Sequence, residues 1–336
     1  MRRPVRPARR RLVGDWIMTW MLWRQHRAAC LAVLVILAAV SAFVLPSAVH
    51  LHTLYDQLGL SACGHSGQPG RGCDANVPTF SAAVDASIGQ HVITWLNLLP
   101  AAFGAFLGAP MLAREIEQAT YRLAWTQGVS RRRWLAGKIT ALGALSVLAG
   151  LGLGLVITWY RDPLNHLSGR YDTASFDFTP LVVPAYTLFA FALASCAGAL
   201  LRRTVPAIAV GLIGYFAVRI PVETLLRPHY LPPAQALWDP ASAQHPNAAI
   251  DWVFGNGYAD AAGRHLSHAQ QDAVLANAGG KGGLTTYLHQ HGYQRWASYQ
   301  PANRFWSFQL IEAGLFTGLA LLLIAVIVWR VRRGAH

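Results

Sequence analysis

Thirteen histidines are spread through this chain of 336 residues, and three close pairs stand out: His50 with His52, His265 with His268, and His289 with His291. H-x-H and H-x-x-H spacings bind zinc when a third ligand converges on the pair. No cysteine or dense carboxylate cluster lies beside any of them, so solvated loop histidines are the simpler reading. Nucleotide chemistry fares no better. Gly279-Gly280-Lys281-Gly282-Gly283 has glycines and a lysine, but neither the GxxxxGK[ST] spacing nor the hydroxyl that follows it. Neither a G-x-S-x-G nucleophile elbow nor an HExxH helix occurs. A membrane hydrolase would have to be assembled from Asp251, Asp260 and His265. The expectation is a chain with no catalytic, metal or cofactor set of its own.

Chemistry of another kind is offered by four cysteines. Cys30 and Cys196 fall inside apolar runs, while Cys63 and Cys73 share a Gly-rich polar loop. If that loop faces an oxidising exterior, a disulfide closes it. Spacing alone does not establish the geometry of a bridge, and two free thiols are the alternative.

The elements that must carry these residues are membrane helices. Hydrophobic residues make up 54% of the chain and charged ones 13%, about half the share that keeps a soluble domain wet. Six runs are long and apolar enough, or nearly so, to cross the hydrocarbon as helices. They are Ala28 to Ala48, Val92 to Leu112, Ile139 to Tyr160, Pro180 to Leu201, Val205 to Val222 and Ser307 to Trp329. The fifth is interrupted by Pro206, Arg219 and Pro221, and Arg219 is expected to reach the outer headgroups by snorkelling. The spans hold almost no ionisable residues: Glu312 and Arg219 lie near outer ends, His91 precedes a span, and Asn97 is merely polar. That disfavours an ion-coupled carrier, which binds its driving ion on such groups.

Orientation follows from lysine and arginine. The segment through Arg27 has eight, the connection from Arg114 to Lys138 six, the turn Arg202-Arg203 two and the tail three, out of 28 in all. The positive-inside rule then places both termini in the cytoplasm of a multi-pass protein of the cell membrane. The formal net charge of +13 is accounted for at the ends of apolar runs and by membrane lipid, with no nucleic acid as partner. A cleaved signal peptide is disfavoured because the first apolar run is too long. Before that run, Trp16, Trp20 and Trp23 share one helical face ahead of Arg24 and Arg27, the pattern of a helix anchored in the inner interface.

The segment AREIEQATYRLAWTQGVSRRRWLAGK, residues 113–138, leaves one span and enters the next. Ile116, Thr120, Leu123 and Gln127 fall on one face of a short helix that breaks at Gly128, a surface suited to a groove on a partner. Arginines and tryptophans anchoring a basic loop are the plainer alternative. The run Arg114-Glu115, Glu117, Thr120, Trp125, Val129-Ser130-Arg131 and Lys138 resembles the loop after the second span in type-2 ABC exporter permeases. The closing stretch, Tyr299-Gln300-Pro301 through Phe305-Trp306, looks like permeases of this kind from actinobacteria. Two departures are visible: Ala119 stands where many relatives have Gly, and the outer segment is longer than the family's usual helical hairpin.

The resemblance implies an all-α integral membrane protein with an N-terminal interfacial helix, six transmembrane helices, a cytoplasmic coupling helix and an extended extracellular segment before the last span. Residues 1–27 form the basic interfacial segment, 28–222 the first five spans, 223–306 the extracellular segment, and 307–336 the last span with its tail. It further implies a dimer of permeases, identical or not, working with a separate ABC ATPase that binds the ATP and Mg. Arg114, Glu115, Glu117, Thr120, Leu123, Trp125, Gln127 and Arg131 would meet that ATPase. Gly104 and Gly108, or Gly314 and Gly318, are placed to let helices approach closely. The rival reading is a non-transporting sensor or scaffold that binds a ligand through its extracellular segment.

Overall fold

The computed structural model describes residues 7–63, 73–117, 131–242, 245–247, 249–278 and 283–333; within these, nothing is described of the side chains of residues 7–26, 62, 74, 88, 115, 116, 131, 132, 331 and 332. The described chain is mainly helical. Helix α1 spans Pro7–Gln57, α2 Cys73–Ala86, α3 Ile88–Leu96, α4 Leu98–Glu117, α5 Arg131–Ser168, the short α6 Thr173–Phe176, α7 Val182–Leu201 and α8 Thr204–Pro221. A π turn, Val222–Leu226, and a 3-10 turn, Arg227–His229, prolong α8. Three strands and two small helices follow, and α11, Phe305–Arg333, ends the described chain.

Five helices are long and apolar enough to cross a membrane, and the count is six where α3 and α4, bent by 41° at Asn97, are taken together as one span. Each coincides with one of the six apolar runs in the sequence. The chain is a multi-pass membrane protein. Helix α1 takes in Trp16, Trp20 and Trp23 without a break, which differs from a separate interfacial helix. No Gly or Pro stands between Trp16 and Ala28 to interrupt it.

Burial ranks the spans. Helix α7 has 78% of its apolar window buried against 11% for α1, so α7 is the axis of the bundle and α1 lies at its edge. A helix surrounded by others is apolar on every side, and VVPAYTLFAFALASCAGALL has no charged residue to place. Small residues let α4 close on α7. A Cβ on Gly104 would come within 2.3 Å of Ala190 Cβ, and one on Gly108 within 2.3 Å of the Phe191 carbonyl. Gly314 and Gly318 behave otherwise: a Cβ on either meets nothing within 4 Å, so the close approach expected there is absent among the described residues. They sit on the open side of α11, beside exposed Leu310, Leu321 and Leu322.

Between α8 and α11 the chain builds a sheet that helix-period reasoning did not anticipate. Strands β1 (Ala234–Trp238), β2 (Trp252–Ala259) and β3 (Gln294–Gln300) pair antiparallel in the order β1-β3-β2, with an irregularity between Val253 and Gly255. Helices α9 (His268–Asn277) and α10 (Leu284–Gln290) fill the β2–β3 connection. Ser267 and Gln270 form a reciprocal capping box that starts α9. The sheet is fixed to the bundle at one end. Trp252 stacks on Tyr171 at 5.4 Å, Tyr171 donates to the Pro301 carbonyl at 3.1 Å, and Gln300 Nε2 donates to the Leu231 carbonyl at 2.7 Å.

Candidate functional site

Two polar constructions mark opposite ends of the bundle. At the end away from the sheet, α4 finishes at Glu117, next to the turn Arg202-Arg203 that joins α7 to α8. Arg202 takes the left-handed conformation (φ 56°) as the C-cap of α7, and Arg203 is extended, so the chain reverses sharply before Thr204. The first residues of a helix have backbone N–H groups without an intrahelical acceptor. Glu117 supplies one: its Oε1 accepts from Thr204 N at 3.1 Å and its Oε2 from Thr204 Oγ1 at 2.7 Å. A carboxylate at a helix N-terminus also meets the positive end of the helix dipole. The Thr204 hydroxyl first, then its backbone N–H, hold the Glu117 carboxyl below its ordinary value.

Thus Glu117, at the end of α4, caps the first turn of α8. Arg114 is exposed on the same helix end. Thr120, Leu123, Trp125 and Gln127 lie outside the described residues, as do the side chains of Glu115 and Arg131. The side chains of Trp16, Trp20 and Trp23 are outside them too. Lys138, entering the third span, is buried with its ammonium 4.5 Å from the Trp134 ring centroid.

At the sheet end, a charge cluster fills the bundle. Arg227 donates through Nε to Glu312 Oε2 at 2.9 Å, and through Nη2 to Glu312 Oε1 at 2.8 Å and Asp177 Oδ1 at 2.7 Å. Arg219 pairs with Asp177 and, at 3.3 Å, with Glu223 one helical turn along. Tyr186 donates to Glu312 Oε1 and Tyr230 to Oε2 at 3.1 Å. The guanidiniums also lie over aromatic rings, Arg227 at 4.0 Å from Phe176 and Arg219 at 4.4 Å from Tyr186. Glu312 has no exposed surface and Arg219 is 5% exposed, so Arg219 does not snorkel to headgroups. Paired acids nearer than the headgroups take its charge instead.

Sequence reading missed this cluster because its members come from five separated places: 177, 186, 219–227, 230 and 312. Arg219, Glu223 and Arg227 at intervals of four residues were the available signal, a charged stripe in an apolar segment. Beside the cluster, Gln309 accepts from Thr179 and donates to the Phe176 carbonyl at 2.9 Å. Arg161 forms a second buried node, donating to Asp172 Oδ2 at 2.7 Å, Ser175 Oγ at 3.0 Å and Gln90 Oε1 at 3.1 Å.

The remaining candidates have structural tasks. Cys63 and Cys73 form a disulfide with Cα atoms 5.7 Å apart, and Cys30 and Cys196 are free. His52 stacks on Trp159, His265 on Trp296 and His291 on Tyr287, and His289 pairs with Asp239. Asp251 accepts from the backbone of Asn247 and Ala302; Asp260 accepts from that of Ala262 and Arg264. Among the described residues no group of three or more His, Cys, Asp or Glu is placed to hold a metal.

A comparison with protein families matches residues 34–227 to the family described as ABC-2 membrane transporter related. No curated protein and no solved structure matches the chain.

Proposed function

Because the chain belongs to the ABC-2 membrane transporter related family, we propose that it is the permease subunit of an ATP-driven exporter, docking a separate ATPase through the connection between α4 and α5. ATP and Mg are bound and hydrolysed on that partner. Two permeases, alike or different, enclose the path, and the chain itself supplies no catalytic group.

The observation that carries this reading is the Glu117–Thr204 contact. Residues 113–138 were expected to meet the ATPase, and Glu117 joins that segment to the start of the fifth span through two hydrogen bonds. A push on the connection therefore reaches α8 directly, without crossing the bundle. The apolar faces that α1 and α11 each expose, with Leu31 and Leu34 on one and Leu310, Leu321 and Leu322 on the other, suit lipid or a second permease. Orientation is supported from the other end. The Cys63–Cys73 disulfide lies beyond the C-terminal end of α1, the end where Tyr55 meets His166 of α5 near the sheet. A disulfide persists in an oxidising compartment, which supports reading this end as exterior and the Glu117 end as cytoplasmic.

The test is co-reconstitution of the full chain with its ATPase in lipid nanodiscs, comparing wild type with Thr204→Val. Thr204→Val is expected to leave the two subunits associated while lowering permease-dependent ATP hydrolysis several-fold. Unchanged hydrolysis in the variant removes the transmission role of Glu117. A wild-type chain that neither binds an ATPase nor alters its rate overturns the permease reading.

A further inference from the structure

We propose that the sheet segment carries a binding site for a small planar anion, in a cleft of about 600 Å³ on one face of the sheet. This goes beyond the permease reading and does not depend on it. Strand register sets the construction. Side chains of paired residues point to the same face, so one row is Trp238, Arg295 and Tyr258, and the next is Ala236, Ala297 and Asn256. The first row is a guanidinium flanked on both neighbouring strands by an aromatic ring; Arg295 lies 5.9 Å from the Tyr258 ring centroid. The second row is small, and Ala297 forms a buried floor. The result is a slot with aromatic sides, a shallow step of alanine and one fixed cation.

Electrostatics then select the occupant. The lining contains no Asp or Glu. No oxygen of the described residues accepts from Arg295, and its buried Nε is without a partner. The three buried arginines of the described chain each have a carboxylate, Arg161 with Asp172, Arg219 with Asp177, and Arg227 with Asp177 and Glu312, whereas Arg295, half-buried on the sheet, has none. Unpaired donors of this kind are costly to a fold, and a carboxylate that lies flat against a guanidinium fork satisfies it in the plane of the adjacent rings. The volume falls in the range of small-molecule sites, about 300–1,000 Å³. An aromatic or conjugated carboxylate fits these constraints; a cation or a bulky neutral lipid does not.

The experiment uses the full chain in neutral-lipid nanodiscs, with 2-naphthoate as the probe, and 2-naphthamide and 2-naphthylmethylammonium as neutral and cationic controls of the same shape. Binding is followed by calorimetry against empty nanodiscs. Wild type is expected to bind the naphthoate saturably and in preference to both controls. Arg295→Gln is expected to weaken naphthoate roughly ten- to a hundredfold, the factor for one hydrogen-bonded charge, while leaving the amide control unchanged. The ranking of the three probes on wild type needs no variant, so misfolding of Arg295→Gln does not protect the proposal. No saturable naphthoate binding, equal binding of the three probes, or undiminished binding by a folded Arg295→Gln chain overturns it.

Discussion

Replacing Arg227 with Met is the sharpest probe of the buried charge cluster. Methionine keeps an unbranched apolar stem against the Phe176 ring, so the change removes chiefly the charge and its donors. Three charge-assisted hydrogen bonds disappear, two to Glu312 and one to Asp177. The remaining cation, Arg219, then faces Asp177, Glu223 and Glu312. Breaking a buried ion pair on one side costs about 3–5 kcal/mol because the partner stays buried and uncompensated. At roughly 2–4 °C per kcal/mol for a chain of a few hundred residues, the melting temperature should fall by about 6–20 °C. The assay is thermal unfolding in mild detergent, reported by a thiol-reactive dye on Cys196, which is buried in α7. Arg227→Met with Glu312→Met removes one charge of each sign, and the pair should be less destabilised than the sum of the single changes. Unfolding of Arg227→Met within about 1 °C of wild type, or strict additivity in the double variant, would refute the reading of this cluster as a paired, structure-bearing unit.

Other consequences are testable in the same preparation. Gly108→Leu should destabilise the chain by more than about 3 kcal/mol, since its side chain enters the backbone of α7, while Gly318→Leu on the open side should melt close to wild type. The Glu117 cap depends on pH with a definite sign. Its folded carboxyl is held below the ordinary value, so the contribution is complete above the unfolded value near 4.3 and disappears as pH falls through the lower folded one. Hydrogen exchange in the first turn of α8 should therefore accelerate only in acid, and Glu117→Gln should show the accelerated exchange at neutral pH. Under denaturing conditions, N-ethylmaleimide should add to two cysteines without reductant and to four after reduction, read by intact mass.

The bundle was legible in the sequence because a membrane span is a local property: some twenty apolar residues announce themselves wherever they stand. The α3–α4 pair was readable as one apolar run, although the 41° turn at Asn97 was not. What pairs with what was not legible. Arg219 in isolation reads as a headgroup anchor; only the fold brings Asp177, 42 positions earlier, and Glu312, 93 later, to its guanidinium. The sheet was hidden for a related reason. The five residues of β1, AQALW, carry too little alternation to read as a strand, and the glycines of β2 read as loop. Both strands owe their state to β3, which arrives some 40 to 60 residues later. At the end of α4, the sequence marks Glu117 as a charged member of the 113–138 connection but does not announce its two donors on Thr204, far along the chain. Charge type and placement were readable, but not the acceptor's destination.

The fifth span is fastened twice. Its first residue is held by Glu117, and its last turns are held by Asp177, Glu223 and Glu312 through Arg219 and Arg227. At 1.5 Å per residue, the eighteen residues of α8 make a strut of about 27 Å with a clamp at either end. Such a rod has little freedom to slide along its axis or to fray, so displacement applied at one clamp becomes tilt or torque at the other. The sheet grows from that second clamp, within a few residues of Arg227. A disturbance on one side of the membrane would then be conveyed to the other along a single rigid member, and a molecule seated on the sheet would load the same member from the opposite end.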